Sequence, residues 1–222
     1  MRLKNLILAS VFLALPAMAQ VPPSPAELSA YAGLHKAAAE GDISTLQAAA
    51  EQGIDVNGRD SSGRTAFHVA AYQKQHKVMT ELVALGADAN ALEGQAYDAV
   101  TIAAVADDVE TLKAALALGN KATNVTSPYQ GTALIAAAHL GHDEVVRILI
   151  ENGAPLNHAN NLGWTALIEA VILGDGGLRH QKTVEHLVKA GADKTLADRG
   201  GLTPLDHAKQ RGYTEIAALL AM

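Results

Sequence analysis

The sequence predicts an all-α solenoid, a single file of about six helix-turn-helix units joined by β-hairpin-like arms. Two observations carry that prediction. Glycines that end leucine-rich segments recur at Gly53, Gly86, Gly119, Gly153 and Gly191, at intervals of 33, 33, 34 and 38 residues. Between them lie pairs of short apolar segments at helical spacing, such as "TALIAAA" and "EVVRILI", split by Gly141 and closed by Gly153. A third observation fits this pattern. The chain of 222 residues has no cysteine, one tryptophan and two phenylalanines, so it is held by packing alone, with alanine letting thin helices approach closely.

The first nineteen residues stand apart from the repeats. Arg2 and Lys4 precede an apolar run, Leu6 to Leu15, that ends at Pro16 and the triplet Ala17-Met18-Ala19. This is the pattern of a signal peptide cleaved after Ala19, which predicts a periplasmic protein beginning at Gln20. The run is too short to span a bilayer, so no membrane insertion is expected after cleavage. Without Arg2 and Lys4 the chain carries 15 basic against 23 acidic residues, a formal charge of −8, and no run of Lys or Arg. A nucleic-acid partner is therefore not expected.

Gln20 to Gly33 reads as a tether and the start of a cap, with Ser24, Pro25 and Glu27 at the spacing of a capping box. The units then run approximately over 34–63, 64–96, 97–130, 131–163, 164–201 and 202–222. Thr132, Thr165 and Thr203 stand where a hydroxyl satisfies the free N–H groups of a first helical turn, and Pro204 occupies the position that needs no donor. Glycine after each second helix supplies a left-handed turn into the arm. No hairpin of this size buries its apolar stripe alone, so stability comes from stacking on neighbours. Met222 closes the last unit without a following arm.

Three departures stand out. Asp98 replaces the capping threonine of the third unit, a substitution that still caps, and Asp107 replaces its helix-connecting glycine. In the second unit Lys74 stands at that connecting position, and the "YQKQHK" turn is expected to be rearranged because lysine tolerates a left-handed backbone poorly. The 38-residue interval reflects five extra residues around "GDGG", expected to form a mobile, exposed turn between the helices of unit five.

The period and the recurring "GRTAFHVAA", "GTALIAAAHLGH", "GWTALIEAV" and "GLTPLDHA" resemble the ankyrin-repeat family over Leu34 to Met222. The resemblance implies a broad concave surface formed by arm tips and first helices, and a non-enzymatic protein-binding role. Aligning the units on their capping residue puts Arg64, Tyr97, Gly131 and Trp164 immediately before the cap, with Tyr129 two residues before Gly131. Tyr72, Val105, His139 and Ile172 follow the first helix's alanine-rich segment. Arg64, Tyr72, Tyr97, Val105, Tyr129, His139, Trp164 and Ile172 are thus the expected partner-binding residues, since aromatic anchors with an arginine nearby are the usual composition of a hot spot.

No catalytic residues, cofactor or metal are expected, and the protein is expected to be a monomer. Without cysteine there is no thiol nucleophile or thiolate metal site. His35, His68 and His142 fall in ankyrin slots where the ring bonds backbone, whereas His180 and His186 flank the insertion and keep a histidine-based metal protein or enzyme as an alternative. "GDGG" lacks the Lys and Ser/Thr of a phosphate loop, and "NVT" at Asn124 reads as a turn in an arm. An inhibitor or immunity-type factor for a secreted effector is the other alternative, sharing the binding mechanism.

Overall fold

The computed structural model describes residues 20–222, so the expected signal peptide, residues 1–19, lies outside the described residues. A short α1 (Pro25–Ala30) leads into six helical hairpins. These are α2 (Gly33–Glu40) with α3 (Ile43–Glu51), α4 (Ala66–Tyr72) with α5 (His76–Ala84), α6 (Ala99–Val105) with α7 (Val109–Ala117), α8 (Ala133–Leu140) with α9 (Asp143–Glu151), α10 (Ala166–Ile172) with α11 (Leu178–Lys189), and α12 (Pro204–Arg211) with α13 (Thr214–Ala221).

Helices this short do not persist alone in water, so their ends and neighbours hold them. The hydroxyls of Thr132, Thr165 and Thr203 accept from the backbone N–H of Ile135, Ile168 and Asp206, and the Asp98 carboxylate does the same for Thr101. The capping box at Ser24 and Glu27 forms, with Pro25 in the first helical turn. First helices stack on first helices and second on second, burying Phe67, Leu134 and Leu167 in one row and Met79, Leu112, Leu149 and Leu187 in the other. Burial of each such side chain contributes about 1.5–3 kcal/mol. Ala70, Ala103, Ala137 and Ala170 are fully buried between adjacent first helices, the close approach that small side chains permit.

The arms repeat one closure. The N–H groups of Asp60, Glu93, Thr126, Asn160 and Asp198 donate to the carbonyls of Arg64, Tyr97, Gly131, Trp164 and Leu202 at 2.9–3.0 Å. Among the described residues the arms form no strands, only the isolated bridges Arg59–Thr65 and Thr126–Gly131. Asparagines tie each arm to the next: Asn57 accepts from the Asp88 N–H, Asn90 from Lys121 and Asn157 from Asp193, all within 3.0 Å. The rings of His35, His68 and His142 donate to the carbonyls of Arg64, Ala91 and Ala104, as their slots imply.

Two expectations require correction. Lys74 does not rearrange its turn; it takes φ 56, as Asp107 takes φ 54 and Gly141 φ 67. Stacking favours the same turn in units two, three and four, shown by the equivalent bonds from Gln75 N–H to Ala70 O, Asp108 N–H to Ala103 O and His142 N–H to Ala137 O. An ion pair from Lys74 Nζ to Asp108 at 3.0 Å offsets part of the backbone cost, which is about 1–2 kcal/mol.

The unit-five insertion is exposed at Asp175, Leu178 and Arg179, as expected, but it is anchored at both ends by the buried Gly174 and His180. Part of the added length extends α11 to 12 residues, against 9 for α9, and buries His180. Its Nε2–H donates to the His139 carbonyl at 3.0 Å and its Nδ1 lies 2.8 Å from Asp175 Oδ1. A Cβ on Gly141 would meet this ring at 2.8 Å, so the glycine makes room for the histidine as well as for its own positive φ. Glycine also lets Tyr213 lie against Gly176, with the tyrosine hydroxyl bonded to Gly174 O at 2.9 Å. Arg179 reaches Asp143 in unit four at 3.1 Å and Asp107 in unit three at 2.8 Å.

Candidate concave binding face

The residues before each cap sit where the arm enters the first helix, and the arm closure fixes their backbones. In four arms a side chain in one slot accepts two N–H groups across the tip: Asp60 from Ser62 and Arg64, Glu93 from Gln95 and Tyr97, Asn160 from Leu162 and Trp164, Asp198 from Gly200 and Leu202. The row from Arg64 to Leu202 is therefore presented by a repeated hydrogen-bonded turn.

Sequence placed Arg64 and Tyr97 on the exposed face, and the structure buries both, at 3 % and 6 % exposure. The Arg64 guanidinium pairs with Glu27 of α1 at 2.5 Å and with Asp60 at 3.3 Å. Bonds from the Ser24 backbone N–H and hydroxyl-bearing side chain, with Arg64's charge, hold the Glu27 carboxyl down at about 2. Tyr31 completes the cluster by donating its hydroxyl to Asp60 at 2.7 Å. The N-terminal cap thus covers the arginine that was expected to meet a partner. Burial, followed by the Glu93 charge, pushes the Tyr97 phenol upward. Nothing in the sequence of unit two signals that a helix from outside the repeats returns to Arg64, because that contact spans 37 residues.

Tyr72, Val105, Tyr129, His139, Trp164 and Ile172 each remain partly exposed. Burial raises the Tyr72 hydroxyl's pKa, so it stays neutral at physiological pH. These positions carry apolar and aromatic side chains, with the imidazole of His139 among them.

One residue that the sequence reading passed over belongs beside them. Glu169 occupies the fourth position after the cap, where other units carry Val69, Ile102 and Ala136. It is only 5 % exposed. Oε1 accepts from Asn160 Nδ2 at 2.8 Å, while Oε2 is buried with no hydrogen-bond donor and lies 3.7 Å from His139 Nδ1. Burial raises its pKa from 4.5 to about 7, against a lowering by Asn160. Burial also lowers the pKa of His139, helped by the charges of His180 and His142, so its ring stands neutral beside the carboxyl. The available signal was a charged residue in a slot that three other units fill with aliphatic side chains.

Family models describing ankyrin repeats match residues 34–81 and 100–198. The ankyrin repeat protein YahD of Escherichia coli strain K12 is 34% identical over 185 residues, covering 83% of this chain and 92% of that protein. The chain belongs to the ankyrin-repeat family. A solved ankyrin repeat domain from Acinetobacter baumannii AYE is 43% identical, with TM-score 0.78 over 85% of this chain and 95% of the other. A chain in the Bdellovibrio bacteriovorus complex of a predatory endopeptidase with an immunity protein is 23% identical, with TM-score 0.70 over 86% of this chain and 97% of the other, a likeness of fold alone.

Ankyrin arrays are protein-interaction modules, and both matching family models describe ankyrin repeats. In this ankyrin protein, no three His, Asp or Glu side chains among the described residues are grouped to hold a metal ion. Three further histidines bond within the array: His207 to Asp198 at 2.8 Å, His76 to Thr111 at 2.8 Å, His158 to the Gln130 carbonyl at 2.7 Å. No helix among the described residues is long and apolar enough to cross a membrane. Asn124 lies in an arm, its amide bonded to Asn90 and Asp98 at 2.9 Å each.

Proposed function

We propose that this ankyrin array is a non-enzymatic scaffold that binds a protein partner in the periplasm, through the concave face of units two to five. The observation that supports the reading is that Tyr72, Val105, Tyr129, His139, Trp164 and Ile172, at equivalent positions of successive units, are each partly exposed on a stack whose arms are hydrogen-bonded to each other. Rigid aromatic side chains on a fixed backbone lose little freedom on binding, which is why such positions become hot spots. The acidic balance of the chain favours a protein over a nucleic-acid partner. Location outside the cytoplasm rests on the charged, apolar and small-residue segments of residues 1–19.

The double substitution Tyr129→Ala, Trp164→Ala tests the surface. Capture of the partner from periplasmic extract should fall at least about tenfold, as expected on losing hot-spot aromatics, while far-ultraviolet circular dichroism stays unchanged. Undiminished capture by this variant overturns the assignment. Intact mass of the protein from fractionated cells tests the location: a species beginning at Gln20 is expected in the periplasmic fraction, and a full-length cytoplasmic species refutes export.

A further inference from the structure

We propose that Glu169, with Asn160 and His139 around it, is the receptor for a basic side chain, arginine or lysine, of the protein partner. The inference rests on the concave-face reading above and names the chemistry of its centre. A carboxyl group 95 % buried with one oxygen lacking any hydrogen-bond donor is an incomplete arrangement, since a buried unsatisfied acceptor costs about 1–3 kcal/mol. Its neighbours within the array do not complete it. Asn160 donates to Oε1 only, and its own carbonyl oxygen is occupied by the Leu162 and Trp164 N–H groups. His139 lies 3.7 Å from Oε2, beyond hydrogen-bond distance, and burial holds its ring neutral.

Other charged or titratable groups around this part of the stack are already committed. His180 of α11 faces Asp175 and the His139 carbonyl, His142 donates to the Ala104 carbonyl, and His207 of α12 is paired with Asp198. The equivalent slot in unit six, His207 with Asp198, is a completed pair; the slot in unit five is half of one. A positive charge from outside supplies the missing half.

His139, 3.7 Å from Oε2, has a side chain 30 % exposed, so displacement of this ring is the step by which the partner's cation would reach the buried oxygen. Trp164, tied by its backbone N–H to the same Asn160, is partly exposed, and an indole is the side chain best suited to the stem and charge of an arginine. The formal −6 charge of the chain favours approach of a basic partner. Val69, Ile102 and Ala136 hold this slot in units two to four and the paired His207 holds it in unit six, so a carboxyl here is peculiar to unit five among these.

The test uses the whole protein, free of partner, at about pH 8, where Glu169 is ionised. The probe is N-acetyl-arginine methylamide, with its citrulline counterpart as the uncharged isostere. Nuclear magnetic resonance should show saturable shifts of the Glu169 carboxyl carbon and the Trp164 indole with arginine, and affinity weaker by about tenfold or more with citrulline. Glu169→Gln should abolish the arginine preference while the amide spectrum elsewhere is retained. Equal response to arginine and citrulline in the wild-type protein overturns the inference without any variant, as does a Glu169→Gln protein that keeps the preference. If the receptor fails while Tyr129→Ala, Trp164→Ala still loses its partner, the concave-face reading stands alone; if that double variant keeps its partner, the surface itself is wrong whatever the probe does.

Discussion

The arm of unit two and the arm of unit five use the same slots to opposite ends. In unit two the position before the cap is Arg64, clamped by Glu27 and Asp60 and buried under the N-terminal cap. In unit five it is Trp164, partly exposed, beside a buried carboxyl that has no cation. The first arm is closed by charges drawn from within the chain, and the second leaves its charge uncompensated. Equivalence of position in a repeat therefore fixes where a backbone lies and not whether its side chain is available.

Removing the clamp should produce the largest effect. Arg64→Ala leaves Asp60 without its cation in a buried site and should destabilise the fold by about 2 kcal/mol or more, read as a lowered denaturant midpoint. A shift under about 0.5 kcal/mol, typical of a surface charge, would erase the contrast with unit five. Next comes His180→Ala in the anchored insertion. It deletes a buried ring from the space over Gly141 and strands the His139 carbonyl, so a loss of about 1–3 kcal/mol is expected. An unchanged midpoint would mean that the segment behaves as the free turn its glycines suggest.

The pH dependence sharpens the other side of the comparison. Glu169 holds a proton in the folded state up to about pH 7, which the unfolded chain releases above 4.5. Its contribution to stability is therefore present at low pH and lost as pH rises from 4.5 through 7, with a slope of at most about 1.4 kcal/mol per pH unit. His68, lowered from 6.5 to about 4 by burial, works in the reverse sense: its contribution is present above 6.5 and lost as pH falls through 4. The two oppose each other between 4.5 and 6.5. Glu169→Gln should remove the first term, so its stability rises more steeply with pH over that window than the wild type's. Parallel curves for the two proteins would show that the carboxyl titrates normally.

The smallest effect belongs to Arg179, whose bonds to Asp107 and Asp143 join units five, four and three at the solvent edge. The groups are half exposed, so Arg179→Ala should cost no more than about 1 kcal/mol and less as salt is raised. A larger, salt-independent loss would make this strap part of the core.

The sequence by itself determined the repeat. The glycine period, the capping Thr and Asp residues, the alanine rows and the histidines of the ankyrin slots all act through contacts inside one unit or with the next, where spacing is enough to specify geometry. Asp98 could be read as a cap because a carboxylate meets the same N–H groups as a hydroxyl. Tertiary structure alone decided what covers what. Arg64 could not be recognised as buried from the arm sequence, since its partner Glu27 comes from α1, and the burial of Tyr97 likewise emerges only once the chain is folded. Lys74 adopts a left-handed backbone because the stack favours the turn its neighbouring units share, and that outweighs a local preference of about 1–2 kcal/mol. The glycines of the insertion signal freedom in isolation, yet they serve the close approach of His180 and Tyr213, contacts that span 41 and 39 residues. Glu169 was visible as an oddity of its slot, but the missing donor at Oε2 is a fact of three dimensions, because an unsatisfied atom is defined by every neighbour at once.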